Sequence, residues 1–236
     1  DGGTYKSEQI KELTKDHYRL GEYASAETGS RTGLVYTINT EQRVIEWGVL
    51  PLNDMGLVGL DGLNQLHEEE MKNLREILED QRVNVNRSVK GSAPARVRIV
   101  GAMNPPKEPI SLHYPKPAKA IKDTNTFSSG PDIRRWDLYI PFLAEDVTED
   151  EIAQARASEK PYSDEFYKKH VLWAWSLKPQ DIQYTDDAKE RIRVEASNLM
   201  KGYNFQSIPI VSRAFREKLT RLCVAQAVLE HAVEDG

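Results

Sequence analysis

The chain has 236 residues, 39% of them hydrophobic and 29% charged, with a formal net charge of −5. That balance describes a globular protein with a well-solvated surface, one sizeable domain or two small ones, and it excludes a surface coated in positive potential. No apolar run approaches the ~18–20 residues a membrane-spanning helix requires, and none of the five histidines pairs with another His or Cys at zinc-ligand spacing.

The chain opens on Asp1-Gly2-Gly3-Thr4-Tyr5-Lys6-Ser7. This has the form of a phosphate-binding loop, G-x-x-x-x-G-K-[ST], whose first glycine would stand one residue before Asp1. Such a loop offers pliable backbone so that N–H groups face phosphate oxygens, a lysine for the β- and γ-phosphates and a hydroxyl for Mg²⁺. Here Gly2, Gly3 and Thr4 supply the backbone, Lys6 the cation and Ser7 the hydroxyl. A helix is expected from Ser7 with Ile10 and Leu13 on one apolar stripe, which places a helix N-terminus at the phosphate.

Further along, Gly33–Ile38 and Arg43–Trp47 flank the turn Asn39–Gln42 and predict a β-hairpin. Gly56–Leu60 is a short apolar run ending in Asp61, the pattern of a buried parallel strand. Met71, Leu74 and Leu78 repeat at helical spacing through Glu68–Asp80. Val83–Asn86 alternates and is expected to pair with Ala95–Val100 across a loop holding Gly91 and Pro94, with Val97–Met103 as a further strand. From Gln81 to Lys107 there is no acidic residue, yet Arg82, Arg87, Lys90, Arg96, Arg98 and Lys107 all fall there; this reads as a basic prong for phosphates.

Pro105–Pro131 is rich in Pro, Lys and Ser and predicts a long irregular connection, with Asp137–Pro141 as the next strand. After residue 148 the pattern becomes helical. Thr148-Glu149-Asp150-Glu151 has capping-box spacing, and Ser163, Thr185 and Ser212 are expected N-caps. The one cysteine, Cys223, lies in the run Leu222-Cys223-Val224-Ala225 and is expected as a buried free thiol in a reducing compartment.

Polar residues at the ends of predicted strands recur in order. Asp61 can hold Mg²⁺, Asn104 can orient a water near a γ-phosphate, and Arg135 can offer a guanidinium to phosphate on a neighbouring subunit. Open α/β sheets gather ligand sites at strand C-termini. Together with the loop at the chain start, these residues predict a phosphate-binding ATPase fold.

The same blocks, in this order and spacing, resemble the AAA+ module of the minichromosome maintenance (MCM) helicases over nearly the whole chain. The opening loop is similar to that family's P-loop, which carries Ala at Tyr5. Glu22–Ser25 and Gly29–Leu34 resemble the run before its helix-2 insert, and Trp47–Leu50 continues that insert. Leu60–Leu66 stands at its Asp-Glu-Phe-Asp-Lys-Met, and Glu76–Val83 at the helix that leads to the pre-sensor-1 hairpin. Gly101-Ala102-Met103-Asn104-Pro105 resembles sensor 1, Arg134-Arg135-Trp136-Asp137-Leu138 the arginine-finger segment, and Ile208–Arg213 the sensor 2 segment.

The resemblance implies an α/β fold: a P-loop AAA+ parallel-sheet core with β-hairpin inserts over 1–147, then an all-α lid over 148–236. It implies ATP and Mg²⁺ as ligands. Asp1 through Ser7 and Asp61 would contact the nucleotide, with Ser7 and Asp61 on the metal, and Asn104, Arg135 and Arg213 would act on the γ-phosphate. Arg87, with Lys90 beside it, falls at the basic tip that grips non-specific single- or double-stranded DNA. Self-association into a hexameric ring is implied, as is a cytoplasmic location in an archaeal-type cell or a nuclear one in a eukaryote.

Two departures bear on mechanism. Gly62 follows Asp61 where the family has the water-polarising glutamate, and Tyr5 brings a bulky ring into the phosphate loop. Losing a water-positioning residue typically costs ~10²–10⁴-fold in rate. The sequence therefore supports an ATP-driven DNA-unwinding motor, and beside it a nucleotide-binding, DNA-clamping or structural ring subunit with little turnover. A protein-remodelling AAA+ chaperone would give no reason for the basic hairpin.

Overall fold

The computed structural model describes residues 1–16, 18–26, 33–66, 68–114, 120–121, 124, 130–146, 148, 161–202, 204–205, 208–209 and 215–232. The chain packs as two units, one made of residues 1–128 with 139–160 and the other of 129–138 with 161–236.

The first unit is built on three parallel strands in the order β1 (Gly21–Ser25), β4 (Leu57–Asp61), β7 (Arg98–Ala102). The central strand β4 is the apolar run Leu57-Val58-Gly59-Leu60, buried along its length as a parallel strand covered on both faces must be. Asp61 closes it. Strand β1 pairs with β4 in register from Gly21↔Leu57 to Ser25↔Asp61.

Helix α1 (Lys6–Lys11) lies across β4 and runs into a π-helical turn, Glu12–Asp16. The wider turn rotates the expected stripe. Ile10 is buried, but Leu13 is 36% exposed and Thr14 takes the interior place, its hydroxyl donating to the Ile10 carbonyl at 2.7 Å. Gly59 makes this approach possible: a Cβ there would stand 2.3 Å from Ile10 Cγ2 and 3.0 Å from Thr14 Cγ2. Backbone meets helix with no side chain between them.

The first hairpin forms as its sequence predicts, β2 (Tyr36–Asn39) antiparallel to β3 (Val44–Trp47), followed by the single turn α2 (Val49–Leu52). Helix α3 (Glu68–Asp80) buries Met71, Leu74 and Ile77. The second hairpin differs from expectation. Strand β5 (Arg82–Asn86) pairs with β6 (Lys90–Pro94), not with Ala95–Val100, and the latter segment enters the parallel sheet as β7. Gly91 and Pro94 thus lie in a strand. The Arg82 guanidinium donates to Ser92 Oγ at 3.0 Å and Ser92 donates to Asn84 Oδ1 at 2.9 Å, cross-strand contacts that fix this register. After β7 come α4 (Ile110–His113) and, in the second unit, α5 (Gly130–Arg135).

Asp137–Pro141, expected as a strand, is irregular, and Leu138 and Ile140 are 57% and 63% exposed. An apolar alternation forms a strand only where an edge is available to take its backbone hydrogen bonds, and these residues make no ladder.

The second unit is helical apart from the short pair β8 (Asn204–Phe205) and β9 (Ile208–Pro209). Its longer helices are α6 (Asp164–Ser176), α7 (Asp186–Gly202) and α8 (Phe215–Leu229). Ser163 Oγ accepts from Phe166 N–H at 3.2 Å and Thr185 Oγ1 from Ala188 N–H at 3.2 Å, so both act as the expected N-caps. Ser212 and the capping box at 148–151 lie, wholly or in part, outside the described residues. Cys223 on α8 is a free thiol but exposed, against the expectation of burial: on a helix its apolar neighbours in sequence point to other sides. His170 and His231, distant in sequence, meet with ring centroids 4.3 Å apart beside Trp173.

Candidate nucleotide-binding site

Asp1 opens the phosphate loop with its carboxylate turned into the protein. Oδ1 accepts from the Ile110 amide at 2.8 Å and Oδ2 from the Ala144 amide at 2.9 Å, with the residue only 4% exposed. The carboxylate thereby anchors the loop to two later segments. Charge-assisted bonds to two N–H groups are the strong kind. Its carbonyl accepts from Thr4 Oγ1 at 2.8 Å and also from the Lys6 ammonium.

Gly3 and Tyr5 both adopt left-handed backbone, at φ 68° and 57°. The second glycine of the loop pattern falls at Tyr5, and left-handed backbone is what a glycine supplies cheaply. A tyrosine there carries about 1–2 kcal/mol of strain. Its ring, which the sequence places in the loop, is 58% exposed.

Lys6 and Ser7 stand at the start of α1. The Lys6 ammonium folds over its own loop, donating to Thr4 Oγ1 at 2.9 Å and to the Asp1 carbonyl. Burial lowers its pKa, and the negative charges of Glu108 and Asp61 oppose that shift.

Asp61 stands at the C-terminal end of β4. Its Oδ2 accepts from the Tyr23 phenol, on the neighbouring strand β1, at 2.9 Å. Gly62 follows in left-handed backbone at φ 75° and begins the short 3₁₀ turn Leu63–Gln65. Asn104 follows the end of β7 and is exposed. Glu108, a few residues on, accepts the Gly2 amide at 2.9 Å through Oε1. Ser7 and Asp61 are hard oxygen donors of the kind Mg²⁺ takes, usually alongside phosphate oxygens. No group of three or more His, Cys, Asp or Glu forms a metal cluster among the described residues. Ser7 and Asp61 thus suit a metal shared with phosphate oxygens.

The basic hairpin is less bare in space than in sequence. Arg87 at the β5–β6 turn donates to Glu69 of α3 at 2.6 Å, and Arg96 forms a fork with Asp54. Both acids lie outside the acid-free stretch. Lys90 is exposed at the start of β6.

Arg135 belongs to the second unit, at the end of α5, where it pairs with the buried Asp132 at 3.4 Å. In the same unit Arg221 pairs with Asp137 at 2.6 Å, and Lys218 donates to the Arg134 and Trp136 carbonyls. Arg213 lies outside the described residues. Lys6, Ser7 and Asp61 lie within one unit, and Arg87 and Lys90 stand at the turn of the second hairpin in that same unit. Tyr23 and Glu108 are additions that sequence reading passed over. Glu108 is the first acid after a long acid-free stretch, a signal without a role until the fold carried it to Gly2.

The family model described as the MCM P-loop domain matches residues 1–156. Among curated proteins, the chain is 26% identical over 203 residues to the Zygotic DNA replication licensing factor mcm6 of Xenopus tropicalis, covering 79% of this chain and 24% of the relative. It is 26% identical over 195 residues to the DNA replication licensing factor Mcm6 of Drosophila melanogaster, covering 76% and 23%. It is 26% identical over 259 aligned positions to the DNA replication licensing factor mcm-6 of Caenorhabditis briggsae, covering 99% and 31%. The chain spans about a quarter of the length of the first two of these relatives.

Proposed function

The chain belongs to the MCM family of P-loop proteins, and from that premise we propose that it is the nucleotide-hydrolysing module of a DNA-translocating ring helicase. The observation that carries this reading is the packing of α1, which opens with Lys6 and Ser7, against the buried parallel strand β4 that ends in Asp61, after a loop of phosphate-binding form. Lys6 would leave its own loop for the β- and γ-phosphates. Ser7 and Asp61 would hold Mg²⁺, which supplies charge neutralisation on those phosphates. Tyr23 would keep Asp61 in the orientation that this requires. Asn104, exposed after β7, would hydrogen-bond the terminal phosphate or its water.

Arg135 and Arg213 are proposed to act on the nucleotide of a neighbouring subunit within a hexamer. Arg87 and Lys90 are proposed to contact DNA phosphates, giving salt-dependent, sequence-independent binding. The replication-factor relatives of eukaryotes favour a nuclear location, and no described helix is long and apolar enough to cross a membrane.

A second reading has one specific observation in its favour: Gly62 offers no side chain at the end of β4. On that reading the chain binds nucleotide and assembles without turning it over. ATP turnover by the full-length protein, with and without single-stranded DNA, separates the two. DNA-stimulated turnover that is lost in Lys6→Ala supports the motor. Nucleotide binding lost in Lys6→Ala, with no turnover in the native protein, supports the second reading, and neither binding nor turnover rejects both.

A further inference from the structure

We infer that Glu108 is the carboxylate that orients and deprotonates the attacking water at this site, an inference that rests on the nucleotide-hydrolysis reading above. Phosphoanhydride hydrolysis needs an acceptor that holds a water in line with the bond to be broken. Gly62 supplies none. On α3, Glu69 is bound to Arg87 at 2.6 Å and Glu76 accepts from Asn84 at 3.1 Å. Asp61 is oriented by Tyr23 at 2.9 Å and is the acid suited to the metal. Glu108 reaches the loop directly, through the Gly2 amide at 2.9 Å, and takes this role.

Its placement suits the task. Glu108 Oε1 accepts the Gly2 amide at 2.9 Å, and a Cβ on Gly2 would stand 3.2 Å from Oε2, so both oxygens lie over Gly2. Glycine at position 2 leaves the space that the carboxylate occupies. Two residues later the Ile110 amide donates to Asp1 Oδ1 at 2.8 Å. The segment after β7 is therefore pinned to the phosphate loop at two points, Gly2 with Glu108 and Asp1 with Ile110. Glu108 itself is exposed, within reach of solvent water.

In the step assigned to it, the water oxygen forms a bond to the γ-phosphorus as the bond to the β–γ bridging oxygen breaks, and ADP leaves with that oxygen. One water proton passes to Glu108 and then to bulk solvent. The other remains on the released inorganic phosphate.

The test uses full-length protein in four forms: native, Glu108→Gln, Glu108→Asp and Lys6→Ala. Steady-state ATP turnover is measured beside equilibrium binding of a fluorescent ATP analogue. Glu108→Gln is expected to lower kcat by ~10²–10⁴-fold while binding is retained. Glu108→Asp should restore part of the rate. Glu108→Gln turning over at the native rate would overturn the inference; tighter nucleotide binding in that variant would mark Glu108 as an occupant of the loop that phosphate displaces. Native protein that binds ATP without hydrolysing it would also overturn the inference, yet leave nucleotide binding standing. Lys6→Ala reports on the underlying reading separately, through loss of binding.

Discussion

The Tyr23 phenol donates to Asp61 Oδ2 at 2.9 Å, linking the middle of β1 to the end of the adjacent parallel strand β4. An ionised acceptor makes this one of the stronger side-chain bonds, worth ~1.5–3 kcal/mol. Partial exposure of both partners places the net effect at the lower end of that range. Tyr23→Phe is expected to raise the Mg²⁺ concentration that half-saturates ATP turnover by several-fold, with little change in the maximal rate. A Mg²⁺ titration of turnover checks this, and an unchanged midpoint would show that Tyr23 has no part in orienting Asp61.

Gly59 sets how closely α1 can approach β4. The Cβ of Gly59→Ala would fall 2.3 Å from Ile10 Cγ2 and 3.0 Å from Thr14 Cγ2. Overpacking of this kind costs ~1–3 kcal/mol. Because α1 begins with Lys6 and Ser7, the displacement should also weaken nucleotide binding. Denaturant midpoint and nucleotide affinity are expected to fall together; a drop in stability alone would separate the helix position from the loop.

Glu69 holds Arg87 at 2.6 Å, with both side chains largely exposed at 62% and 59%. An exposed, solvent-screened pair adds little to stability, so a phosphate would replace Glu69 at small cost. Glu69→Gln is expected to tighten non-specific DNA binding, and Arg87→Ala to weaken it and to reduce the slope of log K against log salt by about 1. Binding isotherms at several salt concentrations decide the matter, and an unchanged slope in Arg87→Ala would remove that residue from the interface.

Asp54 accepts from the Arg96 backbone amide at 2.8 Å and from Nε at 3.0 Å, besides its fork partner Nη2. These bonds hold its carboxyl at about 2, below the ordinary 3.8. A depressed carboxyl contributes stability that is fully present above the unfolded value and is lost as pH falls through the folded one. The contribution of this pair should therefore disappear between roughly pH 4 and 2. Native protein and Asp54→Asn are expected to differ in melting temperature at pH 5 and to converge at pH 2. A constant difference across that range would show that the fork does not stabilise the fold.

Local patterns carried much of this architecture. β4 was legible because four consecutive small or apolar residues end in a charge, and α3 because Met71 and Leu74 recur at the helical period. The β5 partner was not, since Gly91 and Pro94 have poor strand propensity; the tight turn at Arg87–Val89 and the Ser92 contacts overrode it. Strand β1 escaped the residue-level reading because Gly21–Ser25 has little apolar pattern of its own and takes its conformation from β4.

The same division holds for the site. The sequence by itself determined the loop pattern that ends in Lys6 and Ser7, the acid ending β4, the missing side chain at Gly62 and the order of blocks shared with the MCM family, because each is a local pattern. Only the tertiary structure decided that Asp1 would face inward onto Ile110 and Ala144, that Tyr23 would hold Asp61, that Glu69 would reach Arg87, and that Glu108 would lie over Gly2. Those relationships join residues 18 to 143 positions apart. Chain entropy leaves such distant groups independent until packing of the parallel sheet and its flanking segments fixes them together.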